Sequence, residues 1–190
     1  MRPSAQTAAA AALGAALALP ASADVLCGDV DDDTLYSAVI NNYSVRDFAG
    51  VMIAQGMAPM PADASGEIDR AVFWMDGDTL IASDADGGAD FHVEFERRAG
   101  GDVLGQYFDG DSPGPMNSDE LAVLAGCDIG DLPRLVGSAQ VTVPEAGTMD
   151  LTLDLVFLGD TGMHGVMQWE TVQGGREIAI RKPVTLTPDD

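Results

Sequence analysis

The chain reads as an all-β protein with two or three short helices, an antiparallel up-and-down meander that closes into a barrel; a two-sheet β-sandwich is the alternative. Three observations predict it. From Glu67 onward the sequence breaks into segments of strand length: EIDRAVFWM, DTLIAS, DFHVEFERR, DVLGQYF, RLVGSAQVTV, MDLTLDLVFL, GMHGVMQWETV and REIAIRKPVTL. Most are joined by short turn-forming stretches such as DG, DADGGA, PEAGT, GDT and QGG, and links this short make antiparallel neighbours because parallel strands need long crossovers. Within MDLTLDLVFL, Met149, Leu151, Leu153, Leu155 and Phe157 fall on one face and Asp150, Thr152 and Asp154 on the other, so one face of that strand is core.

Taken from the start, residues 1–23 carry Arg2, an alanine and leucine stretch and a closing Ala21-Ser22-Ala23, the layout of a cleaved signal peptide. The expectation is therefore a periplasmic or secreted protein whose mature chain begins near Asp24. Leu26 occupies the place before Cys27 where a lipid-anchor motif wants a small residue. No later stretch is apolar for long enough to make a transmembrane helix.

Residues 24–66 form an N-terminal arm with a short helix, and residues 67–190 an antiparallel β domain packed with the arm as one domain. In DVDDDTLYSAVINNY, Leu35, Val39 and Ile40 recur at helical spacing behind three aspartates, and Asp33 is the expected cap. SVRDFAGVMIA fits a helix or a strand equally, and Pro59 and Pro61 demand irregular chain after it. NSDELAVLAGC predicts a two-turn helix capped by Asn117, with Glu120 as reciprocal partner and Gly126 as terminator. Cys27 and Cys127, the only two cysteines, predict one disulfide in an exported chain. Asp76-Gly77 predicts a two-residue hairpin loop pairing Phe73 with Leu80 and Trp74 with Thr79.

Charge narrows the partners. The chain holds 31 acidic and 9 basic side chains, a net charge of −22, which repels phosphate backbones and makes nucleic acid an improbable partner. Catalytic signatures are absent: there is no HExxH, GxSxG, phosphate loop or post-strand GxGxxG, so no catalytic residue is assigned and the enzyme question leans towards no.

Metal chemistry is weighed and not assigned. FWMDGDTLIASDADGGADFHVE fails as an EF-hand because Ala82 and Val93 stand where acidic ligands belong, which leaves weak calcium binding at Asp84, Asp86 and Asp90 as an alternative. His92 and Glu94 share a polar strand face without a third ligand. Met163, His164 and Met167, with Met57 and Met60, suggest copper, but alternation puts His164 on the face opposite the two methionines.

The architecture expected is lipocalin-like in outline only, since the GxW motif usual near the first lipocalin strand is missing. On this reading the protein is an exported, acidic, non-catalytic barrel that binds a small apolar molecule or an envelope partner, without a cofactor and with oligomeric state undetermined. Trp74, Tyr107, Met163, Met167 and Trp169 are the expected lining. The alternatives are a structural or interaction module without a ligand cavity, and a calcium- or copper-binding envelope protein.

Overall fold

The computed structural model describes residues 27–85, 92–109, 114–143 and 147–189. The signal-peptide expectation for residues 1–23, and Asp86 and Asp90 of the calcium alternative, lie outside them.

Ten strands build one antiparallel sheet: β1 (Asn42–Asp47), β2 (Gly50–Ala54), β3 (Met60–Ala62), β4 (Asp69–Asp76), β5 (Thr79–Asp84), β6 (His92–Arg98), β7 (Arg134–Val143), β8 (Gly147–Phe157), β9 (Met163–Gln173) and β10 (Arg176–Pro188). Their order is β1-β4-β5-β6-β7-β8-β9-β10-β2-β3, and β1 also pairs with β10, which closes eight strands into a barrel. The all-β barrel expected from the meander is what forms.

The ambiguous SVRDFAGVMIA stretch proves to be strand. β1 and β2 run along the same edge of β10, from Tyr43 opposite Pro188 to Asp47 opposite Val184, then from Val51 opposite Arg181 to Ala54 opposite Ile178. Residues 48–50 thus face only residues 182 and 183, an extra residue that marks a bulge. Gly50 is required there, because a Cβ would stand 2.0 Å from the Arg181 carbonyl oxygen. β3 hydrogen-bonds to β2, and β4 to β1, so the meander keeps its up-and-down order through this break.

DVLGQYF, expected as a strand, is instead part of the β6–β7 connection: α2 (Val103–Tyr107), capped by Asp102 accepting from the Gly105 amide. α3 (Ser118–Ala125) has the anticipated capping box between Asn117 and Glu120, and it stops at Gly126 with φ 75°. α1 (Asp32–Val39) is capped by Asp31 rather than Asp33, through the Thr34 amide and hydroxyl, leaving Asp32 and Asp33 in the first turn where they complement the helix dipole. The β4–β5 hairpin pairs Asp76 with Thr79, so its loop is Gly77-Asp78 and Phe73 faces Ala82. That loop is one residue later than expected. Each side chain keeps its face because the pairing shifts by two.

The sheet separates two cores. Inside, Leu35 and Val39 of α1 close one end over Tyr43, Phe73, Phe95, Leu135, Leu155, Phe157 and Met163, all buried. Gly137, opposite Phe95, makes room for that ring: a Cβ would meet Phe95 carbons at 2.8 Å. Outside, Val103, Leu104, Leu121 and Ala125 of α2 and α3 cover Val156 and Val166. Cys27 and Cys127 lie at disulfide distance, their Cα atoms 6.3 Å apart, and the Gly28 amide donates to the Asp131 carbonyl at 2.8 Å beside them. The N-terminal arm is thereby tied to the segment that carries α3.

Candidate functional site at the open end of the barrel

Burial of the interior face changes along the barrel. Near α1 most of it is sealed: Leu155, Phe157, Met163, Val184 and Leu186 are all 3 % exposed or less, with Val45 and Met75 partly buried beside them. Toward the opposite end burial on the same face is mixed: Leu153 beside Met167, and Trp169 beside Ile180, which in turn faces Met52, are half-buried, whereas Leu151, opposite Trp169, is buried. Strands of 11 to 13 residues, β8, β9 and β10, extend past the shorter β4 and β5, so their inner faces run out beyond the closed wall. Their half-buried apolar side chains therefore lie toward the end opposite α1. The β5–β6 and β7–β8 connections at that end include residues 86–91 and 144–146, outside the described residues.

One ion pair stands on the same inner face. Lys182 Nζ donates to Asp47 Oδ2 at 2.7 Å, and both side chains are mostly buried. Ser65 adds its amide and hydroxyl to the same carboxylate, at 2.9 and 2.8 Å. Burial pushes the Asp47 carboxyl up, but the hydrogen bonds from Lys182 and Ser65 outweigh it and hold the group below the ordinary carboxylate range. This arrangement staples the β3–β4 connection to the bulged strand, at the side of the opening.

The five residues expected as lining divide. Met163 is sealed in the interior, and Met167 and Trp169 lie further along the same face toward the opening. Trp74 is on the outer face, edge-on to the His92 ring at 5.4 Å between centroids. Tyr107 belongs to α2, also outside. Trp74 and Tyr107 therefore share no wall with the other three.

The outer face holds a polar network that the sequence did not disclose. Asp154 is 1 % exposed. It receives Arg134 through both Nε, at 2.7 Å, and Nη2, while the Tyr107 hydroxyl donates to its Oδ2 at 3.1 Å. Gln106 accepts from the same Arg134 Nη2 at 2.8 Å. Desolvation, then the Asp154 charge, lifts the Tyr107 phenol to about 12, so it stays a donor. Alternation on β8 correctly put Asp154 outside; the missing signal was α2, which covers it.

His164 lies on this outer face as well, fully buried next to Gly114, with the Met116 backbone beside it and neither ring nitrogen in good hydrogen-bonding geometry among the described residues. Burial pulls its pKa down to about 4, so the ring is neutral at physiological pH. The sheet stands between it and Met163 and Met167, as alternation required. Met57, in the β2–β3 turn, has its sulfur 3.8 Å from an Arg176 nitrogen. Among the described residues no three of His, Cys, Asp and Glu are gathered for a metal ion, and no helix is long and apolar enough to cross a membrane.

No protein-family model, no curated protein and no solved structure matches this chain.

Proposed function

We propose that this protein is an exported, acidic β-barrel carrier that admits a small apolar molecule at the end opposite α1. The observation that carries the reading is the half-burial of Met167, Trp169 and Ile180 on adjacent strands of the inner face, beside the sealed Leu151 and outward of the sealed Met163 and Leu155. Half-buried apolar side chains converging from adjacent strands make a natural apolar pocket at a barrel mouth. The cysteine pair at disulfide distance and the leader-like residues 1–23 support an oxidising, extracytoplasmic setting.

A dansyl-labelled fatty acid titrated into the purified protein tests this. Saturable one-to-one binding is expected, weakened by Trp169→Asp or Ile180→Asp and unchanged by Val172→Asp, which sits 68 % exposed on the outer face. Absence of saturation, or equal binding by all three variants, removes the carrier reading.

One observation favours an interaction module instead. On the outer face Ile53 and Val172 lie in a groove rimmed by Asp150, Glu170 and Glu177, an exposed apolar strip with acidic borders. Affinity for a basic amphipathic peptide that falls with added salt and with Val172→Arg is the outcome this second reading requires; indifference to both excludes it.

A further inference from the structure

A second cleft, independent of the barrel mouth, lies on the outer face where β2, β10 and the end of α2 meet. It has a volume of about 430 Å3, and its walls include Val51, Ile53, Pro59, Tyr107, Phe108 and Arg181. Five are aliphatic or aromatic walls, and Arg181 brings a positive charge to them. The guanidinium of Arg181 is half-buried and held in place: its Nε donates to Gln168 Oε1 at 2.7 Å, and its central carbon lies 5.7 Å from the Tyr107 ring centroid.

Arg181 has no carboxylate within salt-bridge distance among the described residues, whereas Arg70, Arg97, Arg98, Arg134 and Lys182 each have one. Arg46 and Arg176 also lack one, but both are exposed to solvent, whereas Arg181 is half-buried. Neither terminal nitrogen of Arg181 makes a hydrogen bond among the described residues. A guanidinium fixed through Nε and stacked on a ring presents its remaining donors as a planar fork, the geometry that fits a carboxylate through two parallel hydrogen bonds. Beside that fork the walls are apolar, and the volume falls in the range of small-molecule pockets.

We infer that this cleft binds a small monocarboxylate with an apolar body, the carboxylate paired with Arg181 and the body packed against Val51, Ile53, Pro59 and Phe108. Asp109, exposed at the rim, opposes the anion. Its neutralisation therefore strengthens binding.

The test compares 3-phenylpropionate with its uncharged amide by calorimetry on the intact, oxidised protein, with backbone amide shifts followed by NMR. The acid is expected to bind at least about tenfold more tightly than the amide, the usual size of a charge-assisted pair. Arg181→Gln abolishes that preference, and Asp109→Asn tightens the acid about two- to fivefold. Shifts centre on Val51, Ile53 and Phe108. Equal affinity for acid and amide, a preference that survives Arg181→Gln, or shifts centred on Trp169 and Ile180 overturns the inference. The last of these outcomes would instead place the probe in the barrel mouth, so the two sites are judged separately.

Discussion

Single residues carry the sharpest expectations. His164 is neutral in the fold because burial holds its pKa at about 4, whereas an unfolded histidine titrates near 6.5. As pH falls below 6.5 the unfolded chain takes up this proton first, so the stability tied to the neutral ring is whole above 6.5 and drains away down to about 4. By pH 4.5 the loss is on the order of 2 to 3 kcal/mol. Denaturant titrations at pH 7 and 4.5 should show that loss in the wild type and a smaller one in His164→Leu; parallel curves refute it. Asp31, Asp47 and Asp189, whose carboxyls are held below the ordinary value, act only at lower pH. Gly165 is equally exacting, since a Cβ there would come 1.9 Å from the Asp154 carbonyl oxygen of the neighbouring strand. Gly165→Ala is expected to cost about 3 kcal/mol or more by denaturation, and a near-neutral result would show that β8 and β9 can part. Alternation alone told which way His164 and Asp154 face. It was silent on their burial, because Asp154 is covered by α2, five residues too few to show a helical period, and His164 by the connection after it, at Gly114 and Met116.

At the scale of elements, what the sequence made legible followed from local chemistry. Asn117, Glu120 and Gly126 announce α3 because each satisfies backbone groups within a turn of itself. β8 was legible through its strict alternation. β1 and β2 were not, since Phe48, Val51 and Met52 fit helical spacing as readily as an extended run, and only pairing with β10 decides between them. The β4–β5 loop was placed one residue early for a related reason: both Asp76-Gly77 and Gly77-Asp78 make acceptable turns, and the pairing of Met75 with Leu80 selects the second. Of the five candidate lining residues, the three on β9 were brought together by one strand's periodicity, whereas Trp74 and Tyr107 were assigned by residue type, which carries no direction. The link between Cys27 and Cys127 spans a sequence separation of 100. Closing so long a loop contributes about 4 to 5 kcal/mol in the chain-entropy model. Cys127→Ser should lower the thermal midpoint markedly, and an unchanged midpoint under reducing and oxidising conditions alike would show the pair to be unlinked.

The whole molecule balances a closed hydrogen-bonded wall against strong self-repulsion. A net charge of −22 on 190 residues disfavours compaction, and mobile ions relieve it. Raising sodium chloride from low ionic strength to about 0.5 M, where screening acts within a few ångströms, should raise the melting temperature; a fall or no change would mean that the buried pairs Asp154–Arg134 and Asp47–Lys182 dominate the electrostatics instead. Closure has a further consequence. The wall is completed by Tyr43 meeting Pro188 and Asp47 meeting Val184, partners near opposite ends of the described chain. A polypeptide emerging from its N-terminus can pair β1 with β4 early but must hold the other edge of β1 unpaired until β10 has arrived. During that wait its bare edge is the molecule's point of greatest exposure to chaperones and to stray copies of itself.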